Sequence, residues 1–122
     1  MVDIVFYNWL DDFEVVDEAL KFYLTEKYRI PLKDVFDKRI PINQIKSKYI
    51  SNELEQEQLY HLVKSIRLLN TLWDSVKYLY FNKKYVEEEK IIVLIDIITK
   101  YLQSEINMVD ERRINKFVNE RN

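Results

Sequence analysis

Few side chains in this sequence can do acid–base or covalent chemistry. There is one histidine, His61, and no cysteine. Thiol nucleophiles, disulfides and thiolate zinc sites are therefore excluded. General acid–base or nucleophilic work needs two groups within reach of each other. His61 has Glu57 one helical turn before it, which could orient the ring, but no companion ligand or nucleophile nearby in sequence. Its expected state is a packed or half-buried ring with its nitrogens satisfied locally. A second group is made of carboxylates alone: Asp11, Asp12, Glu14, Asp17 and Glu18. Oxygen ligands suit a hard cation, but the spacing lacks the EF-hand pattern and its turn glycine. The expected role is a solvated acidic helix face. A ferritin-like two-metal site requires Glu-x-x-His on two helices, which one histidine cannot supply. No catalytic, cofactor-binding or metal residue is assigned, no cofactor or small-molecule substrate is inferred, and an enzyme is not expected.

The third candidate is Asp96, set in the run IIVLIDII at Ile91–Ile98. As a strand, this run would place Ile92, Leu94, Asp96 and Ile98 on one face and bury a carboxylate among aliphatics, which is costly without a partner. As a helix, Ile91, Leu94, Ile95, Ile98, Tyr101, Leu102 and Ile106 form the buried stripe. Asp96 then points to solvent one turn before Lys100, in the favourable acid-before-base order. β-branched propensity argues for the strand. The missing glycine argues for the helix: the chain has none, where roughly eight or nine are average for its 122 residues. Without glycine there is no P-loop, no GxGxxG turn and no GxSxG elbow, and tight hairpin turns are disfavoured. Asp96 is read as a surface residue. The open question is what covers Val93 and Ile97, which the helical register places nearer solvent: the terminal helix around Phe117, or another molecule.

The elements that would carry these residues are all helical. The expectation is an all-α, single-domain bundle over residues 1–122, with three long helices at about 3–28, 53–81 and 86–105 and short ones at about 32–38, 42–50 and 110–118. Val2, Phe6, Trp9, Leu10, Phe13, Val16, Leu20 and Leu24 recur in three- and four-residue steps. That pattern crosses Asp11–Asp12 without a phase break, although Asp11-x-x-Glu14 resembles a capping box and a start near Asp11 is the alternative. Pro31 and Pro41 bias Ile30 and Ile40 toward extended geometry and suit the first position of a new helix. Asn52 with Glu55 forms the clearest helix start, and Asn82 is a plausible left-handed terminator. The helix between them has two apolar stripes, one through Leu62, Ile66, Leu69, Trp73, Val76 and Tyr80, the other through Leu54, His61, Leu68, Leu72 and Leu79. Such a helix is usually central in its bundle or sits in a subunit contact.

The charges are segregated, although the formal net charge is only −2. Residues 1–26 carry seven acids against Lys21, a net of −6, and residues 27–50 carry seven bases against two acids, a net of +5. The remainder is near neutral. Two electrostatic readings follow. The acidic first helix could bind a basic partner. The basic segment 27–48, with Lys33, Lys38, Arg39, Lys46 and Lys48, could touch nucleic acid. The sequence pI of 5.5 weakens the second reading. No secretory signal is visible, and the longest apolar run is far short of the roughly 18 residues of a membrane span. A soluble, cytoplasmic protein is expected, and the abundance of Lys, Ile, Asn and Tyr resembles the product of an AT-rich bacterial or phage genome. The functional expectation is a small non-enzymatic interaction or regulatory module acting through a helical face. Its partner would be a protein or a second copy in a homodimer, with nucleic acid the alternative. The interface would comprise Leu54, Leu68, Leu72, Leu79, Val93 and Ile97.

Overall fold

The structure is a computed structural model that describes residues 1–121. Six helices follow one another: α1 (Val2–Lys27), α2 (Leu32–Phe36), α3 (Ile42–Tyr49), α4 (Glu53–Phe81), α5 (Glu88–Ile106) and α6 (Glu111–Arg121), with no strand among the described residues. The all-α bundle is thus the observed class. α1 passes through Asp11–Asp12 unbroken, because Trp9, Phe13 and Leu20 keep the apolar phase and are buried on one side.

At the helix ends the structure departs from several local sequence signals. Pro31 and Pro41 are not first helical residues. They are the capping positions before them, extended at ψ 138° and 147°. Their carbonyls accept the first-turn N–H groups of Asp34 and Gln44 at 3.1 and 3.0 Å. The left-handed residue is not Asn82, whose φ is −105°. It is Arg29, at φ 57°, directly after α1. With no glycine in the chain, an arginine takes the turn that lets the Ile30 N–H reach the Leu24 carbonyl at 3.4 Å and buries Ile30. A non-glycine residue there costs roughly 1–2 kcal/mol. Asn52 caps α4 as expected, accepting from the Leu54 and Glu55 N–H groups at 2.9 and 3.2 Å. The reciprocal half of the box is diverted, because the Glu55 carboxylate accepts from Tyr28 and Arg113 instead. α2 stops at Phe36, two residues short of expectation, since Asp37 turns extended at ψ 96°.

α4 is the central helix, touching α1, α2, α3 and α5. It runs antiparallel to α1. At one end Phe6 stacks on Tyr80 at 3.8 Å between centroids, and at the other the Tyr28 hydroxyl donates to Glu55 at 2.7 Å. α5 folds back along α4, with the His61 ring next to Glu105 at 3.1 Å. Two antiparallel steps make α1 and α5 parallel neighbours: the Val2 N–H donates to Glu88 at 2.6 Å, and Ile106 lies with Val16 and Leu20 of α1. α6 continues along the C-terminal half of α1, where Phe117 meets Phe22 and Tyr23 at 5.9 and 5.4 Å. Asp110 caps it, accepting from the Arg113 N–H at 3.3 Å.

α2 and α3 pack on the remaining flank of α4 and are pinned by one side chain. The half-buried Arg67 donates to the Val35, Ile40 and Asp37 carbonyls at 2.6, 2.7 and 3.2 Å. Val35 lies in the last turn of α2, where carbonyls lack helical partners, while the Asp37 carbonyl also accepts from the Ile40 N–H at 3.0 Å. Burial lowers the guanidinium's pKa, and the Asp37 carboxylate opposes that shift.

The buried stripe of α5 is narrower than expected. Ile91, Ile95, Leu102 and Ile106 are buried and Ile98 is half-buried, but Leu94 and Tyr101 are exposed. α1 and α4 flank this helix, and they leave the side that carries those two residues only partly covered. Asp96 is at the surface, ion-paired with Lys100 at 2.9 Å.

Candidate interaction surface

His61 is held as the packed-ring expectation described. Its side chain is 12 % exposed, with Nδ1 at 3.1 Å from Glu105 and Nε2 at 3.4 Å from Glu57. Lys64 reaches the other Glu105 oxygen at 3.2 Å. Burial pushes the Glu105 carboxyl up, but hydrogen bonds from His61 and Lys64 outweigh it, so its pKa lies below the ordinary value. Each ring nitrogen faces a different carboxylate, so the group is an α4–α5 tie rather than a converging site.

The acidic face of α1 is in water. Asp11, Asp12, Glu14 and Glu18 are exposed, and Asp17 pairs with Lys21 at 2.7 Å. No group of three or more His, Asp or Glu side chains among the described residues is placed to hold a metal ion. No helix among them is long and apolar enough to cross a membrane.

The basic residues scatter around α2 and α3. Lys33, Lys38, Arg39 and Lys48 are exposed, and Lys46 is half-buried. Several are engaged within the chain. Arg39 forks onto Asp37 with both bonds at 2.9 Å. Lys38 donates to Thr71 at 3.2 Å, and Lys46 and Lys48 lie over the rings of Tyr60 and Tyr49. The solvent side of α3 presents Asn43, Gln44, Ser47 and Lys48. A different tie closes the end of the bundle where α1 finishes. Burial and the Glu55 carboxylate push the Tyr28 phenol up, so it stays protonated and donates. Arg113 and Tyr28 in turn hold Glu55 below the usual carboxylate range.

The six expected interface residues lie on the neighbouring helices α4 and α5. Leu68, Leu72 and Leu79 are half-buried against the core, and Val93 and Ile97 are 56 % and 57 % exposed. Extending the His61–Glu105 pairing along the antiparallel hairpin sets Leu68 beside Ile98 and Leu72 beside Leu94. The outer face of α4 and α5 is therefore one apolar band, widened by the unanticipated Leu94 and Tyr101, which are 40 % and 54 % exposed. Leu54 stands apart at the far end of α4, 80 % exposed. The terminal helix does not cover Val93 and Ile97, because its Phe117 is committed to α1.

Beside this band lies a groove of about 460 Å³ between the parallel helices α1 and α5. Val5, Trp9, Phe13, Ile92, Val93 and Ile95 supply its apolar lining, and Asn8, Asp12, Asp96 and Thr99 its polar edges. The buried Trp9 indole N–H has no acceptor among the described residues. Comparison with known protein families, curated proteins and solved structures finds no match.

Proposed function

We propose that this protein is a non-enzymatic interaction or regulatory module of the cytoplasm that docks a helical segment of a protein partner on its α5 side. The observation that carries the reading is the uncovered apolar stripe Val93, Leu94, Ile97 and Tyr101 on a helix whose opposite face is fully packed. Isolated exposed apolar residues are ordinary, whereas a contiguous stripe marks a contact site. Each of the four is about half bare, so together they offer on the order of 400 Å², against the ~800 Å² per partner of a stable protein–protein interface. That size suits one docked helix better than a second copy of the whole chain. Among the described residues no nucleophile–base pair and no converging carboxylate cluster is assembled, which supports the non-enzymatic part.

A photo-crosslinker placed at Ile97 should capture a partner in cells that the same group at Glu14, an exposed residue of α1 outside the groove lining, does not. The substitutions Val93→Ser and Ile97→Ser together should abolish that capture while leaving the unfolding curve unchanged. Capture of the same proteins from both positions would refute the reading. Sedimentation should give the monomer mass of 15.0 kDa, and a stable dimer lost in the double variant would replace the docked helix with a second copy. One observation favours a nucleic-acid reading instead: the solvent face of α3 holds Asn43, Gln44, Ser47 and Lys48, residue types that read bases and phosphates, near exposed Lys33 and Lys38. A mobility shift with random duplex and single strands at low salt tests it, and no shift ends it.

A further inference from the structure

We infer that the partner segment is a cationic amphipathic helix and that it seats in the groove between α1 and α5, which deepens the docking role proposed above and rests on it. The groove spans residues 5–13 of α1 and 92–99 of α5, each about 12 Å of helix, enough for two turns of an incoming helix. Its floor is apolar, as the anchors of a helix-in-groove contact require. Both lips carry bare apolar side chains. On α1, Ile4, 66 % exposed, lies one turn before the edge residue Asn8, and Val15, 69 % exposed, lies beyond Asp12, where it borders a second pocket with Ile106 and Ile114. On α5, Val93 is both groove lining and the start of the exposed stripe, and Ile97 follows one turn on.

The sign of the partner's charge comes from the same two helices. Asp12 on α1 and Asp96 on α5 line the groove, Asp11 is exposed next to Asp12 in sequence, and Glu89 is exposed one turn before Val93. Lys100 and Asp96 neutralise each other at 2.9 Å, so the excess of acid comes from Asp11, Asp12 and Glu89. Residues 1–26 as a whole carry a net −6. Acids flanking an apolar trough select an anchor helix with lysine or arginine on its flanks, and they repel an acidic helix.

The test is titration calorimetry with three synthetic peptides on the full chain. One is an amphipathic Leu/Lys helix with leucine at i, i+3, i+4 and i+7, the second has the same composition in scrambled order, and the third has Glu for Lys. The Leu/Lys helix should bind, the scrambled peptide at least about tenfold more weakly, and the Leu/Glu helix not at all. Filling the groove from either wall, by Asn8→Trp or Thr99→Trp, should weaken binding about tenfold or more, and Asp12→Asn with Asp96→Asn should flatten its salt dependence. The two filling variants are independent, so one that misfolds leaves the other to report. Equal binding of the scrambled peptide, unchanged binding to the filled variants, or no binding of the Leu/Lys helix would overturn the inference. If the Leu/Lys helix fails while the Ile97 crosslink remains sensitive to Val93→Ser and Ile97→Ser, the docking role stands and only its occupant is wrong.

Discussion

Arg67 offers the sharpest test of how the α2–α3 flank is held. Its guanidinium is the donor to three carbonyls, and Val35, which carries the shortest of these bonds, is fully buried. Replacing Arg67 by Met keeps the aliphatic stem against the core and removes all three bonds. A hydrogen bond to a charged group contributes about 1.5–3 kcal/mol net. Arg67 is only half-buried, so water should replace part of what is lost, most readily at the longest bond, to Asp37 at 3.2 Å. Taking the low end for the two short bonds gives a loss of about 3 kcal/mol. For a chain of 122 residues that is a fall in Tm on the order of 10 °C. Arg67→Lys can satisfy one carbonyl at a time and should recover about 1 kcal/mol of it. Urea denaturation of the three proteins measures the series. An unchanged m value would mean that the flank remains docked in the native state, and a reduced one that α2 and α3 have come loose before global unfolding. If Arg67→Met lies within about 0.5 kcal/mol of the wild type, the three bonds do not stabilise the flank and the reasoning fails.

Arg29→Gly should stabilise the protein by about 1 kcal/mol, because it relieves the left-handed backbone at φ 57° and sacrifices only an exposed 3.9 Å contact with Glu26; a lower Tm would contradict this. Glu105→Gln should destabilise at neutral pH. The folded pKa of Glu105 lies below the ordinary value of 4.5, so its contribution is complete above that value and is lost as the pH falls through the lower folded one. The two proteins should therefore converge in acid, and a gap that persists there would refute the assignment. Leu69→Ala, at a fully buried position, should cost about 2–5 kcal/mol, whereas Leu54→Ala, at 80 % exposure, should stay within about 0.5 kcal/mol, as read by the midpoint of chemical denaturation.

Much of the bundle was readable because its cause is local. The bounds of α4 follow from Asn52 and an unbroken apolar phase, and the path of α1 through Asp11–Asp12 from Trp9 and Phe13 on one side. What escaped depends on partners distant in sequence. Periodicity tells which residues of α5 share a side but not how much of its girth the neighbours cover, so Leu94 and Tyr101 were assigned to a core that does not extend to them. Nothing in the residues around Arg29 announces a left-handed turn, since arginine has no preference for one. The duties of Arg67, Glu55 and Glu105 arise from contacts 27 to 58 residues apart. The exposure of Val93 and Ile97 follows from helical register alone. The groove beside them does not, because it needs the packing of α1 on α5.

That packing has a consequence for how the chain acquires its surface. α1 and α5 are parallel and separated by the whole of α2, α3 and α4, so their seam joins residues as far as 86 positions apart, as in the Val2–Glu88 bond. It is a high-contact-order feature, with a loop-closure cost met only when the rest of the bundle is in place. A partial fold, or a fragment ending with α4, has the acidic helix but no groove. Occupancy of the seam is then a report on global folding, and mass action runs both ways: a partner at about a hundred times its Kd would add about 2.7 kcal/mol to the stability of the whole chain.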